Sequence, residues 1–258
     1  MPILTPRERE HFFDQGFLVI DPGIPMQVID GVVQDMEGRY PAGNHRTDGY
    51  QGTTRVQDGW RESRNSHAIA VAPRVLDALR ELYGREALPF QTLNFPVGTE
   101  QRPHSDAVHF NSCPPTFMCG VWVALEDVDE QNGSVQYFPG SNKLPEVDLN
   151  HAGKEPAEAN YPFYEDMIER VIQKHGLKPQ VARMKKGQAF IWSSNLIHGG
   201  SSRLDPKRTR HSQVTHYYFE GCRYFTPMLS RGEEVFWRNP GFIPRKVPGV
   251  RPWSAWPK

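Results

Sequence analysis

The sequence predicts a mainly β fold with flanking helices, built on a double-stranded β-helix core of the jelly-roll or cupin-like kind. Helical patterns occupy much of the chain before residue 90, and short alternating strands dominate afterwards. This order favours a roll of antiparallel strands with helices packed outside it. With 258 residues, of which 38% are hydrophobic, the chain can bury one sizeable core. We therefore expect a single domain over residues 1–258.

Start and stop signals predict the helices. Thr5 and Glu8 form a capping box, which begins a short helix ending near residue 14. Pro25 opens a second helix with an apolar stripe, and residues 73–83 form a third that ends at Gly84. A further helix is expected over residues 161–175. The apolar stripes indicate helices that pack on one face.

Period-two alternation between turn residues predicts the strands. They are expected at residues 16–20, 90–95, 116–128, 134–138, 180–184, 188–193 and 210–219. In the strand 116–128 the odd positions from Phe117 to Leu125 form an apolar face. Trp122 lies on the other face between the small residues Gly120 and Ala124. That arrangement fits a wall beside a cavity, and equally fits plain core.

Two segments lack a sustained apolar period. We interpret residues 39–66 as an active-site loop, because long irregular loops in compact domains are often functional, although a solvated excursion is the alternative. We interpret residues 223–258, which contain Trp237, Trp253 and Trp256, as an irregular C-terminal tail of the same domain.

Charge and cysteine content restrict the class of partner. Lysine plus arginine and aspartate plus glutamate both number 30, so nothing favours nucleic acid or an anionic membrane as partner. No apolar run approaches the ~20 residues that span a bilayer, and no signal peptide is seen. An odd count of three cysteines argues against a disulfide framework. We expect a reduced cytoplasmic protein with a small-molecule substrate, and the oligomeric state stays open.

His104-Ser105-Asp106 is the first candidate for chemistry. In extended backbone, residues two apart project to the same side, so one imidazole and one carboxylate would point together as two metal ligands. A hydrogen-bonded pair on a surface loop is the plain alternative. His198 offers a third ligand downstream in an apolar run. Two histidines and one carboxylate with open positions are typical of non-haem Fe(II) oxygenases.

His198 taken alone is more often a satisfied core residue than a ligand. The glycines that follow it, Gly199 and Gly200, would let another group approach the backbone closely. We expect that group to be a bound co-substrate.

Arg210 and Ser212 are candidates for binding a carboxylate. They lie two apart in a predicted strand, so a guanidinium and a hydroxyl would face the same side. A simple hairpin after His198 would place Arg210 opposite it. Arg208 shares that face and is the rival, and a solvated basic turn is the alternative for all the arginines here.

Several ordered motifs resemble the phytanoyl-CoA dioxygenase family of Fe(II)/2-oxoglutarate-dependent oxygenases. They are FFDQGFLV at 12–19, PHSD at 103–106, VWVALED at 121–127, NG at 132–133, FPGS at 138–141, IHGG at 197–200 and the strand 210–217. The resemblance implies that His104, Asp106 and His198 bind Fe(II). It also implies that Arg210 binds 2-oxoglutarate, with Trp122 beside this co-substrate. Arg210-His211-Ser212 is similar to an Arg-x-Ser signature found more widely in such oxygenases.

The expected function is hydroxylation of an unactivated C–H bond in a small metabolite, using O2 and decarboxylating 2-oxoglutarate to succinate and CO2. Asp106 favours hydroxylation over halogenation, since related halogenases have a small residue in its place. One alternative is a cupin-like metalloenzyme that does not use 2-oxoglutarate, and another is a non-catalytic binding module with a degenerate site.

For the substrate side we suggest His109, Gln57 and Trp60, although His109 would also suit a core position. His211 and His216 are expected to flank the roll structurally.

Overall fold

The computed structural model describes residues 2–41 and 55–246. In these ranges the chain is mainly antiparallel sheet with a few helices, so the predicted fold class is confirmed. Residues 42–54, which belong to the predicted active-site loop, and residues 247–258 with Trp253 and Trp256 lie outside the description.

Five α-helices occur in the described ranges. They are α1 (Pro6–Gln15), α2 (Met26–Met36), α3 (Arg64–Ala70), α4 (Pro73–Tyr83) and α5 (Tyr161–Lys174). The predicted capping box is confirmed, because the Thr5 hydroxyl accepts from the Glu8 N–H and the Glu8 carboxylate accepts from the Thr5 N–H. Gly16 and Gly84 end α1 and α4 with positive φ, which only glycine adopts without strain.

The larger sheet has six strands in the described part of the chain. In spatial order they are β1 (Phe17–Ile20), β8 (Ala189–Ser193), β5 (Met118–Ala124), β10 (Ser212–Phe219), β3 (Ala87–Phe95) and β2 (Val56–Gln57). The predicted two-faced pattern of β5 is confirmed: Cys119, Val121 and Val123 pack with α1, α2 and α4 in the outer core. Trp122 and Ala124 face the inner core between the sheets.

Two smaller antiparallel sheets complete the described fold. The first contains β7 (Gln180–Val181), β6 (Val135–Tyr137) and β9 (His198–Gly200). The second contains β12 (Trp237–Arg238), β11 (Arg223–Phe225) and β4 (Asn111–Cys113). The first faces the larger sheet across the inner core, because Val135 and Tyr137 pack there with Trp122 and Phe190. The two facing sheets form the predicted roll.

Both segments predicted to be irregular contain regular structure where they are described. The end of the 39–66 segment forms β2, a short 3₁₀ helix at Gly59–Arg61 and the start of α3, whose N-cap Ser63 accepts from the Ser66 N–H. The 223–258 segment forms β11 and β12, and β11 pairs with β4. The weak local pattern did not predict this regular structure, since strands such as β2 and β11 depend on pairing with distant strands. An active-site role for the 39–66 segment stays a prediction.

No helix in residues 2–41 and 55–246 is both long and apolar enough to cross a membrane. Cys113, Cys119 and Cys222 are free thiols.

Candidate active site

A cavity of about 840 Å³, including its mouth, opens between the two facing sheets. His104, Asp106 and His198 line one part of its wall, and Arg210 and Trp122 line another. The roll therefore brings together residues that the sequence separates widely. Trp122 borders this cavity and is also buried in the inner core, so both interpretations of its position hold.

His104 and His198 are held side by side by their backbones. The His104 N–H donates to the His198 carbonyl at 2.8 Å, and the His198 N–H donates to the His104 carbonyl at 2.9 Å. Asp106 Oδ1 lies 3.7 Å from His104 Nε2 and 3.8 Å from His198 Nε2. One donor atom from each of the three residues falls within 4.8 Å of the other two, so the group can hold one metal ion.

The other ring nitrogen of each histidine is already engaged. His104 Nδ1 lies 3.0 Å from the Arg102 carbonyl, and His198 Nδ1 lies 2.9 Å from the Leu196 carbonyl. A carbonyl only accepts, so each Nδ1 carries a proton, and Nε2 is the ring nitrogen that can offer a lone pair to a metal. Burial, and then the charge of nearby His198, lower the pKa of His104 to about 4. His104 is therefore neutral at pH 7, as a metal ligand must be.

Asp106 is the first residue of a short 3₁₀ helix, Asp106–Val108, and Ser105 before it is extended. The Tyr164 hydroxyl accepts from the Ser105 N–H at 2.9 Å, which fixes the link between the two candidate ligands. Burial raises the pKa of the Asp106 carboxyl, but the electrostatic effect of His198, and then the hydrogen bonding of His216, outweigh it and hold this pKa below its usual range. A buried carboxylate beside two imidazole lone pairs suits a divalent cation.

Arg210 is 3% exposed and lies against the rings of Trp122 and Phe95, at 5.5 and 5.7 Å from their centroids. Its Nη1 donates to Ser212 Oγ at 2.7 Å, and its Nε donates to the Gly133 carbonyl at 3.2 Å. Burial lowers the pKa of Arg210 to about 10. Among the described residues, the acceptors of its hydrogen bonds are a hydroxyl and a carbonyl rather than a carboxylate. A buried cation in this setting favours an anionic ligand.

The predicted hairpin between His198 and Arg210 was wrong. His198 pairs with Tyr137 of β6 in the small sheet, whereas the Arg210 N–H donates to the Pro96 carbonyl beside the large sheet. The two side chains nevertheless line the same cavity. They approach each other because the two sheets of the roll face each other, and not because their strands are adjacent.

The close approach predicted for Gly199 and Gly200 occurs, but the approaching group is the chain's own backbone. A Cβ at Gly199 would lie 2.6 Å from the Gln101 carbonyl oxygen, and one at Gly200 would lie 2.6 Å from the Glu100 nitrogen. Both glycines make room for the segment that carries His104. Gly199 also lines the cavity, and its closeness to a bound co-substrate stays a prediction.

Of the residues suggested for the substrate side, Gln57 and His109 line the cavity and Trp60 does not. The Trp60 ring lies beneath the Arg61 guanidinium and near His67. Burial, and then the charge of His104, lower the pKa of His109 to about 3.

Sequence reasoning missed two residues that contact Asp106. Trp192 Nε1 donates to Asp106 Oδ2 at 2.8 Å. His216, which was expected to flank the roll, lines the cavity with Nε2 3.6 Å from the same oxygen and Nδ1 2.9 Å from Gln91 Oε1. His211 lies away from the cavity, near the Tyr40 ring, as expected. One signal for Trp192 was available, since Gly120 on the inward face of β5 leaves space for a large neighbour.

Comparison with known proteins identifies the family. The family model described as "Phytanoyl-CoA dioxygenase (PhyH)" matches residues 12–212. The chain belongs to the phytanoyl-CoA dioxygenase family. The family predicted from the ordered motifs is thus confirmed, and so is the class of enzyme, a dioxygenase.

Curated relatives in this family are distant or partial. A "Probable phytanoyl-CoA dioxygenase" of Caenorhabditis elegans is 25% identical over 258 residues, covering 86% of this chain and 78% of the relative. The peroxisomal phytanoyl-CoA dioxygenase of Rattus norvegicus is 25% identical over 196 residues, covering 70% of this chain and 54% of the relative. "Phytanoyl-CoA dioxygenase domain-containing protein 1" of Danio rerio is 44% identical over 120 residues, covering 46% and 40%. The chain thus spans about half or less of the length of the last two relatives.

Solved structures share the fold. The α-ketoglutarate-dependent carbocyclase SnoK from nogalamycin biosynthesis has a TM-score of 0.68 at 14% identity and covers 86% of each chain. EctD from S. alaskensis, solved with 2-oxoglutarate and 5-hydroxyectoine, has a TM-score of 0.66 at 17% identity, covering 90% of this chain and 85% of EctD. The epimerase SnoN, solved with Fe3+ and α-ketoglutarate, has a TM-score of 0.66 at 17% identity, covering 92% and 98%.

Proposed function

We propose that this enzyme hydroxylates an unactivated C–H bond of a small metabolite. In the overall reaction, the substrate, O2 and 2-oxoglutarate give the hydroxylated product, succinate and CO2. The observation that carries the proposal is one cavity lined both by the buried group of two histidines and a carboxylate and by Arg210, a buried arginine.

His104, Asp106 and His198 are the residues that would hold Fe(II). Three buried donors supply one negative charge and two imidazole lone pairs, and three protein ligands leave positions open for small molecules. Bound there, Fe(II) would supply the activation of dioxygen coupled to the oxidation of 2-oxoglutarate. The protein contributes the placement of the ligands and a cavity lined by the rings of Trp122 and Phe95.

Arg210, Ser212 and Trp122 are the residues proposed to bind 2-oxoglutarate. The guanidinium would pair with the carboxylate distant from the keto group, and the Ser212 hydroxyl fixes the guanidinium through a 2.7 Å bond. The Trp122 indole packs beside the same guanidinium, at 5.5 Å from its ring centroid. Because Arg210 is buried, an incoming carboxylate gains more from the pairing than it would at the surface.

His109 and Gln57 are proposed to contact the substrate, since both line the cavity. Neutral His109 and the Gln57 amide offer hydrogen bonds to a polar group. We leave Trp60 out of this proposal because it does not border the cavity.

Two other functions are less well supported. A cupin-like metalloenzyme that does not use 2-oxoglutarate would leave the buried cation Arg210 without a role. A binding module with a degenerate site would not need three buried donor atoms converging within 4.8 Å. Halogenation is disfavoured by Asp106, which occupies the carboxylate position.

Isotope labelling tests hydroxylation against other oxidations. The purified enzyme, Fe(II), 2-oxoglutarate and a library of small polar and amphipathic metabolites are incubated under ¹⁸O2, and substrates are recognised by Fe(II)-dependent succinate formation. We expect the organic product to gain one ¹⁸O atom and succinate to gain one. A product that loses two hydrogens and gains no label would overturn hydroxylation while leaving the dependence on 2-oxoglutarate intact.

A further inference from the structure

We propose that Trp192 is a positioning residue that orients the Asp106 carboxylate so that only one of its oxygens faces the metal. The proposal rests on the proposed function in taking Asp106 as a metal ligand. Its basis is the 2.8 Å hydrogen bond from Trp192 Nε1 to Asp106 Oδ2, between side chains of residues only 3% and 5% exposed.

The two oxygens of Asp106 have different surroundings. Oδ1 lies 3.7 and 3.8 Å from the Nε2 atoms of His104 and His198. Oδ2 accepts from the Trp192 indole and lies 3.6 Å from His216 Nε2. The hydrogen bond therefore favours binding of a metal through Oδ1 alone. A carboxylate that bound through both oxygens would take a further position, and the proposed reaction needs that position for the co-substrate or dioxygen.

Indole suits this task because it donates and cannot accept. It satisfies a lone pair of Oδ2 without supplying a proton that would neutralise the carboxylate. A hydrogen bond to a charged acceptor is stronger than one between neutral groups, and more so when buried. Asp106 thus keeps its negative charge for the metal while its orientation is fixed.

Gly120 provides the space in which the indole lies. Gly120 pairs directly with Trp192 across β5 and β8. A Cβ at Gly120 would overlap Cε2 and Cζ2 of the indole and lie 2.8 Å from Nε1. The His198 ring is 4.9 Å from the Trp192 ring, centroid to centroid. With the Gly120 backbone on one side and a candidate metal ligand near it, the indole has little freedom to rotate.

The test compares Fe(II) binding by wild-type enzyme and by Trp192→Phe, which keeps the ring packing and removes the donor. Fe(II) is titrated anaerobically without 2-oxoglutarate, and 2-oxoglutarate is then added to record the visible charge-transfer band. Removing a partner of a metal ligand typically weakens metal affinity ~10–100-fold. We expect a loss of that size and a shifted band for Trp192→Phe. Wild-type affinity with an unshifted band would overturn the proposal.

Trp122→Phe is the matched control for Fe(II) affinity. Trp122 is an equally buried indole in the same cavity, and among the described residues its Nε1 has no hydrogen-bond partner. We expect its replacement to leave Fe(II) affinity without 2-oxoglutarate unchanged. An equal loss in both variants would mean that general packing, rather than the Trp192 hydrogen bond, sets the affinity, and would overturn the proposal.

Gly120→Ala is a second variant that displaces the indole without removing its N–H. We expect weaker Fe(II) binding here too, with a melting temperature showing that the protein is folded. Wild-type affinity in folded Gly120→Ala would contradict the proposed role of Gly120.

The outcomes also separate the two proposals. A wild-type enzyme that binds no Fe(II) would contradict the proposed function. Normal Fe(II) binding by Trp192→Phe would contradict only the role inferred for Trp192.

Discussion

His104 and His198 donate backbone hydrogen bonds to each other, at 2.8 and 2.9 Å. Main-chain pairing therefore places these two candidate metal ligands, which come from distant parts of the chain. The direction of each imidazole then depends only on its side-chain rotamer. The Gly200 N–H adds a third bond of this ladder by donating to the Gln101 carbonyl at 2.9 Å. The contacts that hold this ladder together should thus control metal affinity, although they touch no metal themselves.

Gly199→Ala should weaken this ladder. The added Cβ would lie 2.6 Å from the Gln101 carbonyl oxygen, and the backbone cannot withdraw without breaking the pairing of His104 with His198. We expect a loss of about 1–3 kcal/mol in the free energy of unfolding, the usual cost of overpacking, together with weaker Fe(II) binding. Chemical denaturation and metal titration measure both.

The control is Gly241→Ala, because a Cβ there meets nothing within 4 Å. Its free energy of unfolding should stay within about 0.5 kcal/mol of the wild type. Equal effects of the two substitutions would contradict the account of the ladder.

Tyr164→Phe should destabilise the link between His104 and Asp106. The Tyr164 hydroxyl accepts from the Ser105 N–H at 2.9 Å, and removing it leaves that buried donor without this acceptor. Leaving a buried donor unsatisfied costs about 1–3 kcal/mol. In Tyr218→Phe the loss should be near zero, since the equally buried Tyr218 hydroxyl has no hydrogen-bond partner in the described structure. Urea denaturation of both variants gives the comparison, and similar losses would refute it.

Arg210→Gln should greatly weaken the binding of 2-oxoglutarate. Removing one partner of a buried charge pair costs about 3–5 kcal/mol, which is roughly a hundredfold or more in affinity. The affinity is measured by anaerobic titration of the Fe(II) enzyme with 2-oxoglutarate. Fe(II) affinity itself should change little, because Arg210 contacts Ser212 and Gly133 rather than the proposed ligands.

Arg208→Gln is the matched control for that experiment. Arg208 was the rival candidate from the sequence, but its Nη1 pairs with Asp129 at 2.9 Å, and it does not line the cavity. Its replacement should leave 2-oxoglutarate affinity unchanged. If Arg208→Gln weakens binding as much as Arg210→Gln, the assignment of Arg210 is wrong.

His109 should make the protein less stable in acid. Its pKa in the folded protein is lowered to about 3, mainly by burial, whereas an unfolded histidine titrates near 6.5. As the pH falls below that value the unfolded chain binds the proton first, so stability is lost from about pH 6.5 down to about pH 3. Between pH 7 and pH 5 this group alone should cost about 2 kcal/mol.

His109→Gln should therefore reduce the difference in unfolding free energy between pH 7 and pH 5. Denaturant unfolding of the metal-free protein at the two pH values measures it. An identical difference in wild type and variant would show that His109 is not buried in its neutral form.

The sequence predicted local features best. The α1 capping box, the bounds of α4 and the two faces of β5 follow from neighbouring residues, and each agrees with the structure. The His-x-Asp spacing brought His104 and Asp106 together correctly, although Asp106 begins a helical turn rather than continuing a strand.

What the sequence missed depends on register between distant strands. Trp192 reaches Asp106 only because β5 pairs with β8 so that Gly120 lies opposite it. His216 was expected to flank the roll, yet period-two alternation along β10 places it on the same face as Arg210 and Ser212, and it lines the cavity with Arg210. The hairpin from His198 to Arg210 failed for a related reason, since strands of a roll that follow one another in sequence can belong to opposite sheets.

The most direct test of the central claim is anaerobic addition of Fe(II) and then 2-oxoglutarate to the wild-type enzyme, followed by visible absorption. We expect a weak charge-transfer band that saturates at one equivalent of each, that is missing in His198→Ala, and that needs far more 2-oxoglutarate in Arg210→Gln. A wild-type enzyme that forms no band, or a His198→Ala variant that forms the same band, would contradict it.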